Sequence, residues 1–272
     1  MFKFNFNNDT ENTDDVIESP VVESKEFTVN TDVLLKIKLK LGESESKINI
    51  STVSDIKLIH TPLFEYESIT NIAHTDLKPN VYEGGYKIWE CTFDLLNFVR
   101  NNVDICAKRV LDLGCGAGLL GLYTLLNDAA HVSFQDYNQE VVESLTLPNI
   151  LLNTQDLSKC KLYHGDWSSL TEVIDTKFDI ILTSETIYSV TNHNKLISVF
   201  KNLLNSTGCV YLAAKIYYFG VGGCIYDFEK LLVEHDFETT TVWEQNEGVK
   251  RKIIKIQFKI DNKMMIPYTI DF

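Results

Sequence analysis

Apolar runs and helically spaced apolar residues alternate along the chain from about residue 81 onward. Residues 110–113 and 178–182 are short, mostly apolar runs, which are typical of strands buried on both faces. Residues 88–99 repeat apolar side chains at helical spacing and are predicted to form an amphipathic helix. The remaining predicted elements are helices at 118–126, 139–152, 193–204 and 225–235, and strands at 131–135, 161–163, 209–214, 239–243 and 251–259.

This alternation predicts the α/β class, with a mostly parallel, Rossmann-like sheet that carries helices on both faces. The last two strands are separated by residues 245–248, whose Asn-Glu-Gly sequence favours a hairpin turn. The closing hairpin would place one antiparallel strand in the sheet. Pro148 is expected to break or kink the helix at 139–152.

The first 80 residues have a different pattern. Residues 1–30 contain seven acidic and two basic side chains without sustained periodicity, and this segment is predicted to be a disordered acidic arm. Residues 33–41 alternate apolar and basic side chains, which predicts a half-buried strand, and residues 52–66 predict a second strand with Pro62 at its edge or end. We therefore expect an arm at 1–30, a small N-terminal extension with short strands at 31–80, and a main domain at 81–272.

The balance of charge narrows the range of partners. The 272 residues are 44% hydrophobic, enough for a sizeable core, and carry a formal net charge of −13. An acidic surface repels phosphate backbones, so we expect no direct contact with nucleic acid and a basic protein or peptide as partner. The alternative is that the charge serves only solubility.

The spacing of the cysteines and the absence of long apolar runs indicate the cellular compartment in which we expect the protein. None of the six cysteines forms a C-x-x-C pair, so neither a zinc site nor a redox motif is indicated, and a reducing compartment fits best. No apolar run reaches the roughly 18 residues of a membrane span. Residues 1–30 lack the order of a secretory signal. We expect no metal, no membrane association, and a monomer in the cytoplasm and nucleus.

The strongest chemical signal is a glycine-rich turn directly after the strand at 110–113. Glycine at 114, 116 and 118 gives G-x-G-x-G, and Leu119 stands where a dinucleotide fingerprint needs its third glycine. The spacing instead matches S-adenosylmethionine-dependent methyltransferases. Asp112, Gly114 and Gly116 are therefore candidate cofactor contacts, against the alternative of a turn that binds no ligand.

Two acidic positions follow the next strands. Asp136 ends the strand at 131–135, about twenty residues past the glycine loop, where a carboxylate accepts hydrogen bonds from both ribose hydroxyls. Its alternative role is to cap the following helix. Gly165, Asp166 and Trp167 follow the third strand, where Asp166 would accept from the adenine amino group and Trp167 would wall the base. The alternative is a turn anchored by a buried tryptophan.

Two further segments flank the expected methyl group. Residues 81–92 contain a glycine pair before a helix whose N-terminus would face the methionine carboxylate, with Trp89 beside the sulfonium; the alternative is a turn before an amphipathic helix. Residues 183–188 end the strand at 178–182. Glu185 and Tyr188 would lie close together there if the segment begins a helical turn, and both are catalytic candidates. The alternative is that Glu185 caps the helix and Tyr188 packs in the core.

Six segments together resemble the eukaryotic protein-histidine N-methyltransferases of the seven-strand methyltransferase family 16. The resemblance covers residues 80–235, and its specific parts are W-E-C-T-F-D-L-L and Y-F-G-V-G-G. The segments are V-Y-E-G-G-Y-K-I-W-E-C-T-F-D-L-L (81–96), L-D-L-G-C-G-A-G-L-L-G (111–121), F-Q-D-Y-N (134–138), T-L-P-N (146–149), T-S-E-T-I-Y (183–188) and Y-F-G-V-G-G (218–223).

The resemblance implies a seven-stranded, S-adenosylmethionine-dependent fold and transfer of a methyl group to the tele nitrogen of a histidine in a large-subunit ribosomal protein. It also implies a set of cofactor-binding residues, namely Ile88, Trp89, Glu90, Cys91, Thr92, Gly114, Gln135, Asp136, Tyr137, Asn138, Gly165, Asp166, Trp167 and Ser184.

The acceptor end of the site leaves alternatives open. Glu185 would fix the tautomer of the acceptor ring, and Tyr188, Tyr217 or Tyr218 would wall it. Many lysine-modifying members of the family have aspartate where this chain has Glu185, and this departure leaves the acceptor residue open. A protein-lysine methyltransferase of the same family is the alternative activity. A non-catalytic binding module is the third hypothesis.

Overall fold

The computed structural model describes residues 21–43, 50–59 and 83–260. Their central feature is an eight-stranded sheet in the order β1-β6-β5-β4-β7-β8-β10-β9. Strands β4 to β8 are parallel, whereas β10 is antiparallel to both β8 and β9. The sheet strands are β1 (Lys25–Glu26), β4 (Arg109–Leu113), β5 (His131–Asp136), β6 (Cys160–His164), β7 (Phe178–Ser184), β8 (Leu204–Lys215), β9 (Phe237–Gln245) and β10 (Arg251–Phe258).

Helices cover both faces of this sheet, as the continuous apolar strands require. Successive residues of β4 show the reason, because Val110 packs into the core on one face and Leu111 into the core on the other. The helices are α1 (Thr31–Glu43), α2 (Glu90–Asn102), α3 (Leu119–Leu126), α4 (Gln139–Val141), α5 (Leu147–Asn153), α6 (Trp167–Val173), α7 (His193–Leu203) and α8 (Ile225–Glu234). The Rossmann-like α/β prediction, including the closing hairpin, is confirmed. The sheet has eight strands and not the expected seven, because β1 pairs with the edge strand β6.

The strand predicted at residues 33–41 is wrong, because this segment is helix α1. Asn30 begins the helix: its side-chain oxygen accepts from the Val33 N–H at 2.9 Å. Ile37 is fully buried in the core, with Leu34 and Leu41 packed beside it. These positions share one helical face, so the two-residue alternation was accompanied by a helical pattern that packing against the main domain selects.

Part of the predicted acidic arm is ordered. Strand β1 pairs with the edge strand β6, and the Phe27 N–H donates to the Leu162 carbonyl at 2.7 Å. Phe27 is buried, and its burial offsets the chain entropy that is lost when this segment becomes ordered. Composition alone does not predict that burial. The arm prediction is therefore wrong for residues 21–30, while residues 1–20 lie outside the described residues.

The second predicted strand, 52–66, is two short strands where the structure describes it. Strands β2 (Ile50–Val53) and β3 (Ile56–Ile59) form an antiparallel hairpin. Its two turn residues, Ser54 and Asp55, both have positive φ, as a tight hairpin turn requires. Pro62 and the rest of the predicted strand lie outside the described residues.

Pro148, predicted to break or kink its helix, does not end the helical segment, but the α-helical hydrogen bonding is interrupted just before it. A π-helical segment, Val142–Thr146, joins α4 to α5, and Pro148 lies in the first turn of α5. Proline is tolerated there because the wider π turn changes the hydrogen-bond ladder just before it. In the part of the chain that the structure describes, no helix is long and apolar enough to cross a membrane.

Candidate active site

A cleft opens at the carboxyl ends of β4, β5, β6 and β7, with about 830 Å³ of empty space when the open solvent at its mouth is included. This is where a doubly wound sheet binds its ligands. Most of the residues predicted to form the site line it: Ile88, Trp89, Thr92, Gly114, Gly116, Asp136, Tyr137, Gly165, Asp166, Trp167, Ser184, Glu185 and Tyr188. The predicted residues Glu90, Cys91, Asp112, Gln135 and Asn138 are not among the residues that line it.

The glycine loop lets two backbone segments meet at the floor of the cleft. Gly116 has a φ of +50°, and a Cβ there would lie 2.8 Å from the Gly85 carbonyl oxygen. At Gly114, with a φ of +68°, a Cβ would lie 2.8 Å from the Thr186 side chain. The loop therefore requires glycine both for conformation and for space.

Asp112 lies beneath this loop and does not face the cleft. Its carboxylate accepts from the Gly121 N–H at 2.8 Å, in the first turn of α3. Only 1% of the residue is exposed, and burial raises the pKa of its carboxyl to about 8. The side chain thus ties the loop to its helix.

Asp136 occupies the position expected of the ribose acceptor. Its two oxygens accept from the N–H groups of Gly116 at 3.0 Å and Asn138 at 3.1 Å. Burial raises the pKa of this carboxyl to about 6, while the backbone donors act in the opposite direction. The carboxylate retains acceptor capacity toward the cleft, since two oxygens offer about four lone-pair sites.

Gln135 joins two walls of the cleft from behind. Its side-chain oxygen accepts from the Trp167 indole N–H at 2.8 Å and from the Gly114 N–H at 3.4 Å. Its amide nitrogen donates to the Gly165 carbonyl at 2.9 Å. Gln135 therefore fixes the glycine loop relative to the turn after β6 without lining the cleft itself.

The turn after β6 is held by charge. Asp166 caps α6 by accepting from the Ser168 N–H at 2.8 Å, and its other oxygen lies 2.7 Å from the Lys195 ammonium. Burial would raise the pKa of Asp166, but these partners lower it below its usual value. Both oxygens are thus engaged within the protein, beside the Trp167 ring that lines the cleft.

The N-terminus of α2 forms the opposite wall. Trp89 is the residue before the helix, and the Thr92 hydroxyl donates to the Ser184 hydroxyl at 3.1 Å. Glu90 instead pairs with Arg251 at 3.2 Å, and Cys91 is fully buried. Asn138 lies at the adjoining corner, where its side-chain oxygen accepts from the Glu83 N–H at 3.2 Å.

The predicted set omitted several lining residues. Glu83, Gly84, Gly85 and Lys87 lie just before α2, within a segment whose glycine pair did indicate a turn. The other omitted residues are Cys115, Ala117, Leu119, Thr186 and Asn192. Three of these lie in or next to the glycine loop and Thr186 lies within the segment 183–188, so their place in those motifs was the available signal. Asn192 lies four residues beyond that segment, outside the motif.

The hypothesis that Glu185 and Tyr188 meet on a helical turn is wrong. Glu185 has a φ of +60°, and residues 185–188 are not helical. The Tyr188 hydroxyl instead donates to the carboxylate of Glu83. Both predicted catalytic residues nevertheless line the cleft.

Glu185 lies at the end of the cleft bounded by Trp89 and Ser184, which we call the acceptor end. The Tyr218 hydroxyl donates to its Oε2 at 2.5 Å, and the Lys215 ammonium lies 3.3 Å from its Oε1. Burial first, and then the charge of Glu185, raise the pKa of Tyr218 well above its usual value, so this hydroxyl keeps its proton and donates. Burial, assisted by Glu185, similarly raises the pKa of the Cys91 thiol, which stays neutral.

These features fit S-adenosylmethionine. A glycine cradle that a Cβ would fill, an acceptor carboxylate at the end of β5 and an indole in the wall provide surfaces for a methionine chain, a ribose and an adenine base. Across residues 21–43, 50–59 and 83–260, no group of His, Cys, Asp and Glu side chains is arranged to hold a metal ion.

Comparison with known proteins agrees with this geometry. The family model described as lysine methyltransferase (methyltransferase family 16) matches residues 76–219, more than half of the chain. A histidine protein methyltransferase 1 homologue from Dictyostelium discoideum is 45% identical over 202 residues, 72% of this chain and 64% of that protein. The homologue from Bos taurus is 37% identical over 290 residues, 93% of this chain and 77% of that protein.

The fold is shared with solved structures. The YcgJ protein from Bacillus subtilis superposes with a TM-score of 0.53 at 14% identity, over 62% of this chain and 99% of that one. The chain spans less than two thirds of the Dictyostelium relative. On the family match and the similarity to the bovine protein, the chain belongs to methyltransferase family 16 and, within it, to the group of histidine protein methyltransferase 1 homologues.

Proposed function

We propose that this protein is an S-adenosylmethionine-dependent protein-histidine N-methyltransferase that modifies the tele nitrogen of a histidine in a large-subunit ribosomal protein. The observation that carries the proposal is the Glu185 carboxylate at the acceptor end of the cleft, held by the Tyr218 hydroxyl at 2.5 Å. The names of the Dictyostelium and bovine relatives support the histidine acceptor.

The acceptor chemistry explains what Glu185 contributes. When bound, S-adenosylmethionine supplies a methyl group carried on a positively charged sulfur. A neutral imidazole has one nitrogen with a lone pair and one N–H, so the residue that accepts from the N–H decides which nitrogen reacts. Glu185 accepts that hydrogen bond and stabilises the positive charge that develops on the ring. We assign the walls around the ring to Tyr188 and Trp89, which both line the cleft.

The net charge of −13 supports a basic substrate such as a ribosomal protein, because opposite charge steers association. The same charge opposes direct contact with nucleic acid. We also propose that the protein acts as a monomer in the cytoplasm and nucleus. Light scattering of the purified chain and imaging of a tagged copy test these two statements.

The decisive experiment is radiolabelled transfer to purified large-subunit ribosomal proteins, followed by acid hydrolysis and separation of the methylated amino acids. We expect tele-methylhistidine. Glu185→Gln should lower kcat by about 100-fold, in the range of losing one electrostatic contact to the transition state. Glu172→Gln, an exposed change on α6, is the matched control. An unchanged kcat for Glu185→Gln would remove the proposed role of this carboxylate.

A protein-lysine methyltransferase is the second candidate, because the matching family model carries that description. Methyl-lysine without methylhistidine in the hydrolysate would establish it. A non-catalytic module is the third, and calorimetry with S-adenosylhomocysteine distinguishes it, since a folded chain that binds no cofactor analogue cannot be the proposed enzyme.

A further inference from the structure

A lysine ammonium lies against the carboxylate at the acceptor end of the cleft. Lys215, the last residue of β8, places its Nζ 3.3 Å from Glu185 Oε1, and only 13% of the lysine side chain is exposed. The same Nζ lies 5.0 Å from the centroid of the Trp89 ring and 5.7 Å from that of Tyr218. One cation is therefore already held between a carboxylate and two aromatic faces.

This arrangement sets the charge that an incoming acceptor meets. Glu185 alone would give the acceptor end a charge of −1, which favours a cationic side chain. Pairing with Lys215 brings that charge to zero, and the neighbouring Cys91 thiol adds none because it stays protonated. Glu83 and Lys87, which also line the cleft, carry opposite charges.

The two candidate acceptors differ in charge near pH 7. A lysine side chain is an ammonium with a reference pKa of about 10.4, whereas an imidazole, at about 6.5, is mostly neutral. A lysine acceptor would meet the like charge of Lys215 beside the carboxylate that it would have to approach. A neutral imidazole avoids that repulsion and can still use the remaining lone pairs of Glu185.

We infer that Lys215 is a specificity-determining residue, which admits a neutral imidazole to Glu185 and repels a lysine ammonium. The inference rests on the proposed histidine methylation and adds how the lysine acceptor is excluded. The charge that repels a lysine acceptor is the Lys215 ammonium of the enzyme itself. Removing this charge should therefore relax the choice of acceptor while Glu185 stays in place.

The test compares Lys215→Met with the unaltered protein on the same mixture of large-subunit ribosomal proteins, measuring methyl-lysine and methylhistidine in one hydrolysate. We expect the ratio of methyl-lysine to methylhistidine to rise by about tenfold or more. Lys215→Arg keeps the charge and should keep the original ratio. Lys230→Met, which removes the same charge from an exposed pair with Asp227 on α8, is the control.

Binding without turnover gives a second measurement. With S-adenosylhomocysteine present, n-butylammonium and 4-methylimidazole are titrated while tryptophan fluorescence is recorded, since Trp89 lines the cleft. Lys215→Met should bind n-butylammonium at least about tenfold more tightly than the unaltered protein does. Lys215→Gln serves in its place if the methionine variant has lost its cooperative thermal transition.

The outcomes separate the two proposals. If the unaltered protein forms methylhistidine but neither the product ratio nor n-butylammonium affinity changes in the Lys215 variants, the inference is overturned and histidine methylation stands. If the unaltered protein forms no methylhistidine, the proposed function fails. The n-butylammonium titration then still shows whether Lys215 repels a cation from Glu185, and equal affinities would overturn that statement as well.

Discussion

Replacing Asp112 by asparagine separates support of the glycine loop from contact with the cofactor. The carboxylate is 1% exposed, lies outside the cleft lining and accepts from the Gly121 N–H at 2.8 Å. Burial, with a further contribution from the charge of Asp136, raises the pKa of Asp112 to about 8. The folded chain therefore holds a proton on this group at neutral pH.

The size of the effect follows from linkage. An unfolded aspartate has a pKa of about 3.9, so between about pH 4 and pH 8 the folded chain binds a proton that the unfolded chain has released. The stabilisation is complete below the unfolded pKa and is lost as the pH rises through the folded pKa, at about 1.4 kcal/mol per pH unit. From pH 5 to pH 7 the free energy of unfolding should fall by about 3 kcal/mol through this group.

Urea unfolding of both proteins at pH 5 and pH 7, without cofactor, measures this difference. Asparagine does not titrate, so the free energy of unfolding of Asp112→Asn, relative to the unaltered protein, should rise by about 3 kcal/mol over that interval. Asp175→Asn, an exposed change, should show no such dependence. Parallel pH curves for Asp112→Asn and the unaltered protein would refute the buried, protonated carboxyl.

The same variant tests whether Asp112 contacts the cofactor directly, as the glycine-rich motif predicted. We expect the Kd of S-adenosylhomocysteine, measured by calorimetry, to change by less than about threefold, because an unmade contact contributes no binding energy. A loss of tenfold or more, with the melting temperature unchanged, would place Asp112 among the cofactor contacts after all.

Three further predictions concern the walls of the cleft. Affinity for S-adenosylhomocysteine should weaken as the pH falls below about 6, because the raised pKa of Asp136 lets it take up a proton and lose an acceptor site; calorimetry from pH 5 to pH 8 measures this. Tyr218→Phe should lower kcat about tenfold by freeing Glu185 to reorient, whereas Tyr226→Phe on α8 should not. Ser24→Ala should cost about 1–2 kcal/mol in urea unfolding, because the buried hydroxyl donates to the Asp166 carbonyl at 2.7 Å.

Each of these has a contrary result. An affinity that stays constant from pH 5 to pH 8 would mean that protonation of Asp136 does not matter to the ribose contact. A kcat for Tyr218→Phe equal to that of the unaltered enzyme would show that Glu185 needs no donor to hold it. Full stability in Ser24→Ala would show that the N-terminal segment does not support the turn after β6.

The central sheet was predictable because its signals are local. The runs at 110–113 and 178–182 are apolar throughout most of their length, and residues 245–248 have a sequence that favours a hairpin turn. Each of these segments therefore indicates its own secondary structure without information from the rest of the chain. Helix α1 could not be predicted, because the apolar side chains of residues 33–41 fit two patterns at once. They alternate with a period of two, and Leu34, Ile37 and Leu41 also recur at helical spacing. Packing of the helical face on the main domain decides between them, and that information is not local.

The candidate site also contains residues that local sequence signals predicted and residues that they assigned wrongly. Gly114, Gly116 and Asp136 were found because a backbone that approaches a ligand and an acceptor for two hydroxyls require particular residues at fixed spacing. Glu90 and Cys91 were assigned to the cofactor together with their neighbours, although a helix turns about 100° at each residue and only some of its positions face one side. A contiguous motif thus indicates the segment correctly and overstates how many of its side chains reach the cleft.

The contact between Glu185 and Lys215 could not be predicted from the sequence, because it depends on how two strands are aligned. Strands β7 and β8 are parallel neighbours in which Ser184 pairs with Ala213, and this register brings Lys215 beside Glu185 across thirty positions of chain. The sequence predicted a strand at 209–214, ending one residue before Lys215, and contains nothing that fixes its register against β7. A shift of one residue would turn Lys215 to the other face of the sheet. The charge at the acceptor end, and with it the choice between imidazole and ammonium, is therefore a property of strand register rather than of any motif.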